Sequence, residues 1–152
     1  MKKIKLECRR RWREGTFIEH GHAVPSIPSG LVWQPYETYM SAAIVSGGVG
    51  EVTRLLVDFP ADGCEDNRLH VHPISDRIIT ILSGSGDFIA VRSRRVERWA
   101  LTPGMKVWMP RGVLHTFMAG ASGMLVESIH SPFVALDAPE ALVYPSKGGF
   151  HV

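Results

Sequence analysis

Apolar, β-branched and aromatic residues along this chain come in short runs of 5 to 10 residues, each closed by glycine, proline, serine or aspartate. LVWQPYETYM, AAIVSG and EVTRLLVDF open the series; RLHVH, RIITILSG, GDFIAVRS, RVERWALT, KVWMP, HTFMAG and GMLVESIHSP continue it. The separators PADG, PISD, SGSG, PGM, RGV and GASG carry the residues that turns require. SGSG, with Gly84 and Gly86, predicts a tight turn between two strands. Short strands at this even spacing predict an all-β sandwich or barrel. Residues 1–30 lack a regular pattern and read as an irregular extension running over the surface. Residues 31–152 read as a single β domain. From Ala138 the tail reads as one helical turn followed by an extended segment.

Length and composition narrow this only slightly. A chain of 152 residues suits one domain with a well-buried core. A hydrophobic fraction of 45% with 21% charged residues is ordinary for a globular protein and excludes neither catalysis nor binding. The two cysteines, Cys8 and Cys64, are far apart, so no disulfide framework is indicated and a reducing cytoplasm is the expected location. MKKIKLECRRRWREG is basic, but no apolar stretch follows it as in a secretory leader, and no apolar run approaches the roughly 18 residues of a membrane span. A net charge of +2 is too mild to argue for nucleic acid, and the run from Arg9 to Arg13 reads as a solvated segment. Neither nucleic acid nor membrane is therefore an expected partner.

The chemistry begins at LHVHPISDR. On a strand, residues i and i+2 share a face, so His70 and His72 project side by side as two ligands of one ion must. Neutral imidazole suits Fe, Mn, Ni or Zn. A pair alone is weak, because this chain carries a second one, His20 and His22, in a stretch that reads as loop. A third partner stands downstream in PGMKVWMPRGVLHTFMA, at His115.

Here the spacing becomes specific. Gly63, His70, His72 and Gly84 resemble the first motif of the cupin superfamily, which runs glycine, five residues, HxH, three or four residues, glutamate, six residues, glycine. Gly104, Pro110, Gly112 and His115 resemble the second: glycine, five residues, PxG, two residues, histidine, three residues, asparagine. The strand pattern extends the likeness from about Leu31 over most of the chain. The resemblance implies a cupin double-stranded β-helix, a jelly-roll barrel, in which His70, His72 and His115 converge on one divalent transition metal.

Three departures stand out. Six residues separate Gly63 from His70, Ala119 replaces the asparagine, and the glutamate ligand is missing. Counting back from Gly84 lands on Arg77; counting on from His72 lands on Asp76. Arg77 shares a face with Ile79 and Ile81, while Asp76 shares one with Ile78, Thr80 and Leu82. Thr80 favours the second set facing outward, which puts Arg77 at the ligand position. Arginine stays protonated and cannot coordinate a cation. Either a bulge brings Asp76 in as a fourth, oxygen ligand, or the site is three histidines with open positions and Arg77 binds an anion or swings to solvent.

Around this set, Glu127 reads as a candidate general base or tautomer-fixing acceptor, or equally as a surface carboxylate. Ser128 and His130 share the opposite face, read as outward. Cys64 reads as a small loop or buried thiol. Trp33, Tyr36 and Tyr39 are candidates for a ligand mouth, and Phe88, Trp108 and Phe117 for barrel filling. Two functional classes follow: a metal-dependent enzyme of dioxygenase or isomerase type acting on a small molecule in the barrel, with Arg77 clamping a carboxylate or enolate, or a non-catalytic module that binds or senses such a ligand. Extended terminal segments suited to crossing onto a neighbour predict a homodimer.

Overall fold

A computed structural model describes residues 2–15, 17–36, 40–61 and 68–145. Two long strands organise it. β5 (Asp76–Arg92) and β8 (Leu114–Ser131) run antiparallel along nearly their whole length, with Asp76 opposite Ser131 and Val91 opposite Leu114. The runs read above as four strands are thus two, and SGSG and GASG lie within strands. The register shifts between Ile81 and Ser83 and again between Gly84 and Gly86. A bulge of this kind bends a strand instead of ending it. Gly84 (φ 77°) lies so close to the backbone carbonyl of Gly123 that any Cβ there would overlap it. Glycine serves close approach between strands here, not a turn.

The bend lets the halves of each strand take different partners. The first half of β5 pairs with β7 (Lys106–Met109), the second with β6 (Arg95–Leu101). On its other edge β8 pairs with β4 (Thr53–Phe59), followed by β3 (Met40–Ser46) and β2 (Trp33–Tyr36). Short β1 (Ile18–Glu19) closes the order β1–β7–β5–β8–β4–β3–β2, every pairing antiparallel. The result is a jelly roll. LVWQPYETYM contributes β2 and the start of β3, with residues 37–39 outside the described part. RLHVH forms only single bridges, His70 to His115 and Val71 to Val143.

The inward face holds Ile79 and Ile81 of β5, Val107 and Met109 of β7, Phe117 and Val126 of β8, and Val57 of β4, all buried. Phe88 and Phe117 meet with ring centres 5.0 Å apart. Trp108 is half-buried, packed against the margin of this core and beneath the guanidinium of Arg11.

The N-terminal region departs from expectation. Its residues Lys2–Arg13 form a helix, α1, that packs against β5 and β7. Ile4, Cys8 and Trp12 recur every fourth residue and are half-buried or buried, a stripe too thin to stand out among the charges. Glu7 accepts from Arg10 at 2.7 Å and Arg11 at 3.2 Å along the helix. Cys8 is buried against β5, its thiol near the carbonyl of Arg77, and burial pushes that thiol up to about 12. Trp12 stacks on Phe17 at 4.4 Å. Past β8 the chain makes two successive turns, Ala138 to Ala135 and Ala141 to Ala138, before Val143 bridges Val71. Among the described residues no helix is long and apolar enough to cross a membrane.

Candidate metal centre

His70 and His72 enter the interior from the segment before β5, and His115 from the second residue of β8. The backbones of His70 and His115 exchange both hydrogen bonds, at 2.9 and 3.0 Å, which sets the two side chains next to each other. All three rings are buried, and one ring nitrogen from each lies within 4.8 Å of the others. Ring centres are 4.5 Å apart for His70 and His115, 5.2 Å for His70 and His72, and 5.4 Å for His72 and His115.

The hydrogen bonds fix which nitrogen is offered. Nδ1 of His70 donates to the carbonyl of Arg68 at 2.9 Å, Nδ1 of His72 to Ala141 at 2.8 Å, and Nδ1 of His115 to Val113 at 2.8 Å. A carbonyl only accepts, so each proton sits on Nδ1 and each Nε2 keeps its lone pair. Burial disfavours the charged rings and holds His70 down to about 4, and His72 and His115 well below the usual histidine range. The Arg77 charge adds to this at all three. The rings are therefore neutral at pH 7, the form that binds a metal. Nε2 of His115 is buried without a hydrogen-bond partner, a cost that a coordinated ion would remove. The donor set fits a divalent transition metal.

Arg77 and Asp76 fall on opposite faces of β5. Arg77 is the inward one, aligned with Ile79 and Ile81 and 4% exposed. Its Nη1 donates to Nε2 of His72, and Nη2 reaches Oγ of Ser128 at 3.4 Å. Asp76 points away: Oδ1 accepts from the backbone N–H of Arg111 at 2.9 Å and from its Nε at 3.3 Å. The ligand atoms that cluster are those of the three histidines, and the Asp76 carboxylate is not among them. Glu127 also lies off the inward face, ion-paired to Arg54 at 2.6 Å. His22 meets Glu19 at 2.8 Å, away from the cluster. Gly63, Cys64 and Tyr39 lie outside the described residues.

Sequence reasoning missed two inward residues. Ser128 and His130, read as outward, are buried opposite Ile79 and Arg77 on the β5–β8 ladder. His130 lies 6.4 Å from His72, ring centre to ring centre, and its Nε2 has no hydrogen-bond partner. Simple alternation from His115 puts residue 130 on the other face. The irregularity around Gly120–Gly123 changes the parity, so that Phe117 and Ala119 point inward before it and Met124 and Val126 after it. The signal lay in the glycines of GASG, read as an in-strand bulge. Between His70 and Arg77 remains a cavity of about 10 Å³, walled by Tyr36, Met40, Phe59 and Phe117, room for about one water molecule.

A family model described as Cupin matches residues 57–132, half of the chain, including all three histidines and Arg77. No curated protein matches the sequence at a significant level. Solved structures share the fold. KdgF from Halomonas sp. is 22% identical, with a TM-score of 0.57, over 68% of this chain and 89% of that one. Hydroxypropylphosphonic acid epoxidase from S. wedmorenis is 14% identical at a TM-score of 0.57, over 70% and 58%. The DMSP lyase DddQ from Ruegeria pomeroyi DSS-3 is 19% identical at a TM-score of 0.57, over 79% and 64%.

Proposed function

This chain belongs to the cupin family, and from that premise we propose that it is a divalent-metal-dependent enzyme acting on a small, anionic organic molecule. The observation that carries the reading is the set of three buried, neutral imidazoles whose Nδ1 protons are tied to carbonyls, leaving their Nε2 atoms to one ion. His70, His72 and His115 hold iron, manganese, nickel or zinc. With three nitrogen ligands such an ion keeps open positions and supplies Lewis-acid or oxygen-activating chemistry, of isomerase or dioxygenase type.

The rest falls to the chain itself. Arg77 presents a permanent positive charge beside His72 and orients a carboxylate or enolate by paired N–H donation. Ser128 steadies that guanidinium. Met40, Phe59 and Phe117 keep the interior dry, which strengthens each polar contact made there. The cavity beside Arg77 has room for a single water-sized group, such as one oxygen of that anion. Similar structures that are enzymes by name, the epoxidase and the lyase, agree with a catalytic use of the fold.

A second reading, a module that binds its ligand without turning it over, is favoured by one observation: among the described residues no carboxylate joins the ligand cluster to act as a base. Protein purified without chelators is expected to carry about one transition-metal ion per chain by elemental analysis, and to consume oxygen or convert small keto acids or thiols. Tight retention of a small acid with no turnover supports the second reading, and failure to take up any transition metal ends both. The chain is also proposed to pair as a homodimer. The exposed Val32 and Trp33 at the β2 end of the sheet support this, and a single-chain mass by light scattering would refute it.

A further inference from the structure

We infer that Arg77 couples ion uptake by the three histidines to a small carboxylate, which takes the guanidinium away from His72 as the ion arrives. The inference rests on the metal-site reading above. It follows first from one shared atom. With Nδ1 of His72 committed to the carbonyl of Ala141 at 2.8 Å, Nε2 holds the ring's only lone pair, and that lone pair already accepts from Nη1 of Arg77. The same lone pair cannot serve a guanidinium proton and a metal ion together, so loading the site requires Arg77 to release His72.

Charge points the same way. Arg77 is 4% exposed and stays protonated. An ion on the histidines sets two further positive charges beside it, where little water remains to screen them. A carboxylate answers both demands, because one oxygen can accept the N–H that leaves His72 while its charge offsets the ion. The small cavity between His70 and Arg77 gives one such oxygen a place. Linkage makes the effect reciprocal: whatever factor the carboxylate adds to ion affinity, the ion adds to carboxylate affinity.

The test is calorimetric titration of the full chain with Ni(II), in acetate and in acetamide, its uncharged near-isostere, at ionic strength matched with perchlorate. Acetate is expected to tighten Ni(II) binding by about tenfold or more, within the usual range of site-to-site coupling, and acetamide to leave it unchanged. Acetate's own weak hold on free Ni(II) opposes this result and cannot mimic it. Arg77→Gln is expected to bind Ni(II) more tightly than the wild type without acetate, and to lose the acetate effect. Should that buried substitution prevent folding, Arg77→Met takes its place with the same expected loss of the acetate effect. Equal Ni(II) affinity in acetate and acetamide overturns the coupling while leaving the metal site standing, and so does an acetate effect that survives in Arg77→Gln. Absence of Ni(II) binding under every condition overturns the metal-site reading and the coupling with it.

Discussion

A histidine whose Nδ1 proton is committed to a backbone carbonyl has one nitrogen left to give, and His70, His72 and His115 direct theirs to a common point. Each ring is aimed by main chain, so the arrangement does not depend on the ion to form it. His115→Gln is therefore expected to lower bound metal from about one ion per chain to nearly none. The metal-free protein should lose about 1 kcal/mol of stability, because the Nδ1 bond to Val113 goes with the ring while the Nε2 removed had no partner. Elemental analysis and circular dichroism check the two halves of that statement. Asp76 gives the opposite expectation. Its carboxylate anchors Arg111, both through the backbone N–H and through the guanidinium, so Asp76→Asn should cost about 1–3 kcal/mol of stability in urea unfolding and leave metal content unchanged. Lost metal in that variant would restore Asp76 as a ligand. The sequence left Asp76 and Arg77 as alternatives because a period of two separates faces but does not label them; the label came from Ile79 and Ile81, which join Arg77 in facing the core.

At the scale of elements, β5 and β8 carry the site, and their bends decide what lies in it. Alternation along HTFMAGASGMLVESIHSP was read as two strands with a turn between, so nothing tied the parity of its second half to His115. The continuous strand with an irregularity in the middle turns Ser128 and His130 inward. On β5 the same happens, with Ile79 and Ile81 inward before the bulge and Phe88 and Ala90 after it. Motif spacing located Gly84 correctly and its role wrongly, whereas Gly104 and Gly112 do lie in turns. Two substitutions separate these roles. Gly84 and Gly112 both have positive φ, at 77° and 84°, so alanine at either position pays about 1–2 kcal/mol of backbone strain. At Gly112 nothing lies within 4 Å of the added carbon, whereas at Gly84 it meets the carbonyl of Gly123. Gly84→Ala should thus cost about 1–3 kcal/mol more than Gly112→Ala, the usual range for forcing atoms into a filled space. Equal losses in denaturant unfolding would mean that the two strands separate at the bulge without penalty.

For the molecule as a whole, the barrel buries four imidazoles in one region, of which three were legible as a motif and the fourth, His130, was hidden by strand parity. Their shared burial gives the fold a characteristic response to acid. In the unfolded chain these rings take up protons near pH 6.5. In the folded, metal-free protein burial keeps them neutral further down, His70 to about 4 and His72, His115 and His130 well below their ordinary value, with the Arg77 charge adding to the effect at each. Between those limits the unfolded state binds more protons, so stability falls as pH falls. Above about pH 6.5 neither state gains protons at these rings and their contribution is flat. Each ring adds a slope of at most about 1.4 kcal/mol per pH unit. Urea unfolding of metal-free protein at steps between pH 7.5 and 4.5 should therefore show a plateau followed by a steep decline. His130→Leu, which cannot protonate in either state, should make that decline shallower by up to one ring's share while leaving the three metal-facing histidines in place. A decline of unchanged steepness in that variant would mean that His130 titrates in the folded barrel as it does in the open chain, and that the interior around Arg77 is wetter than its packing implies.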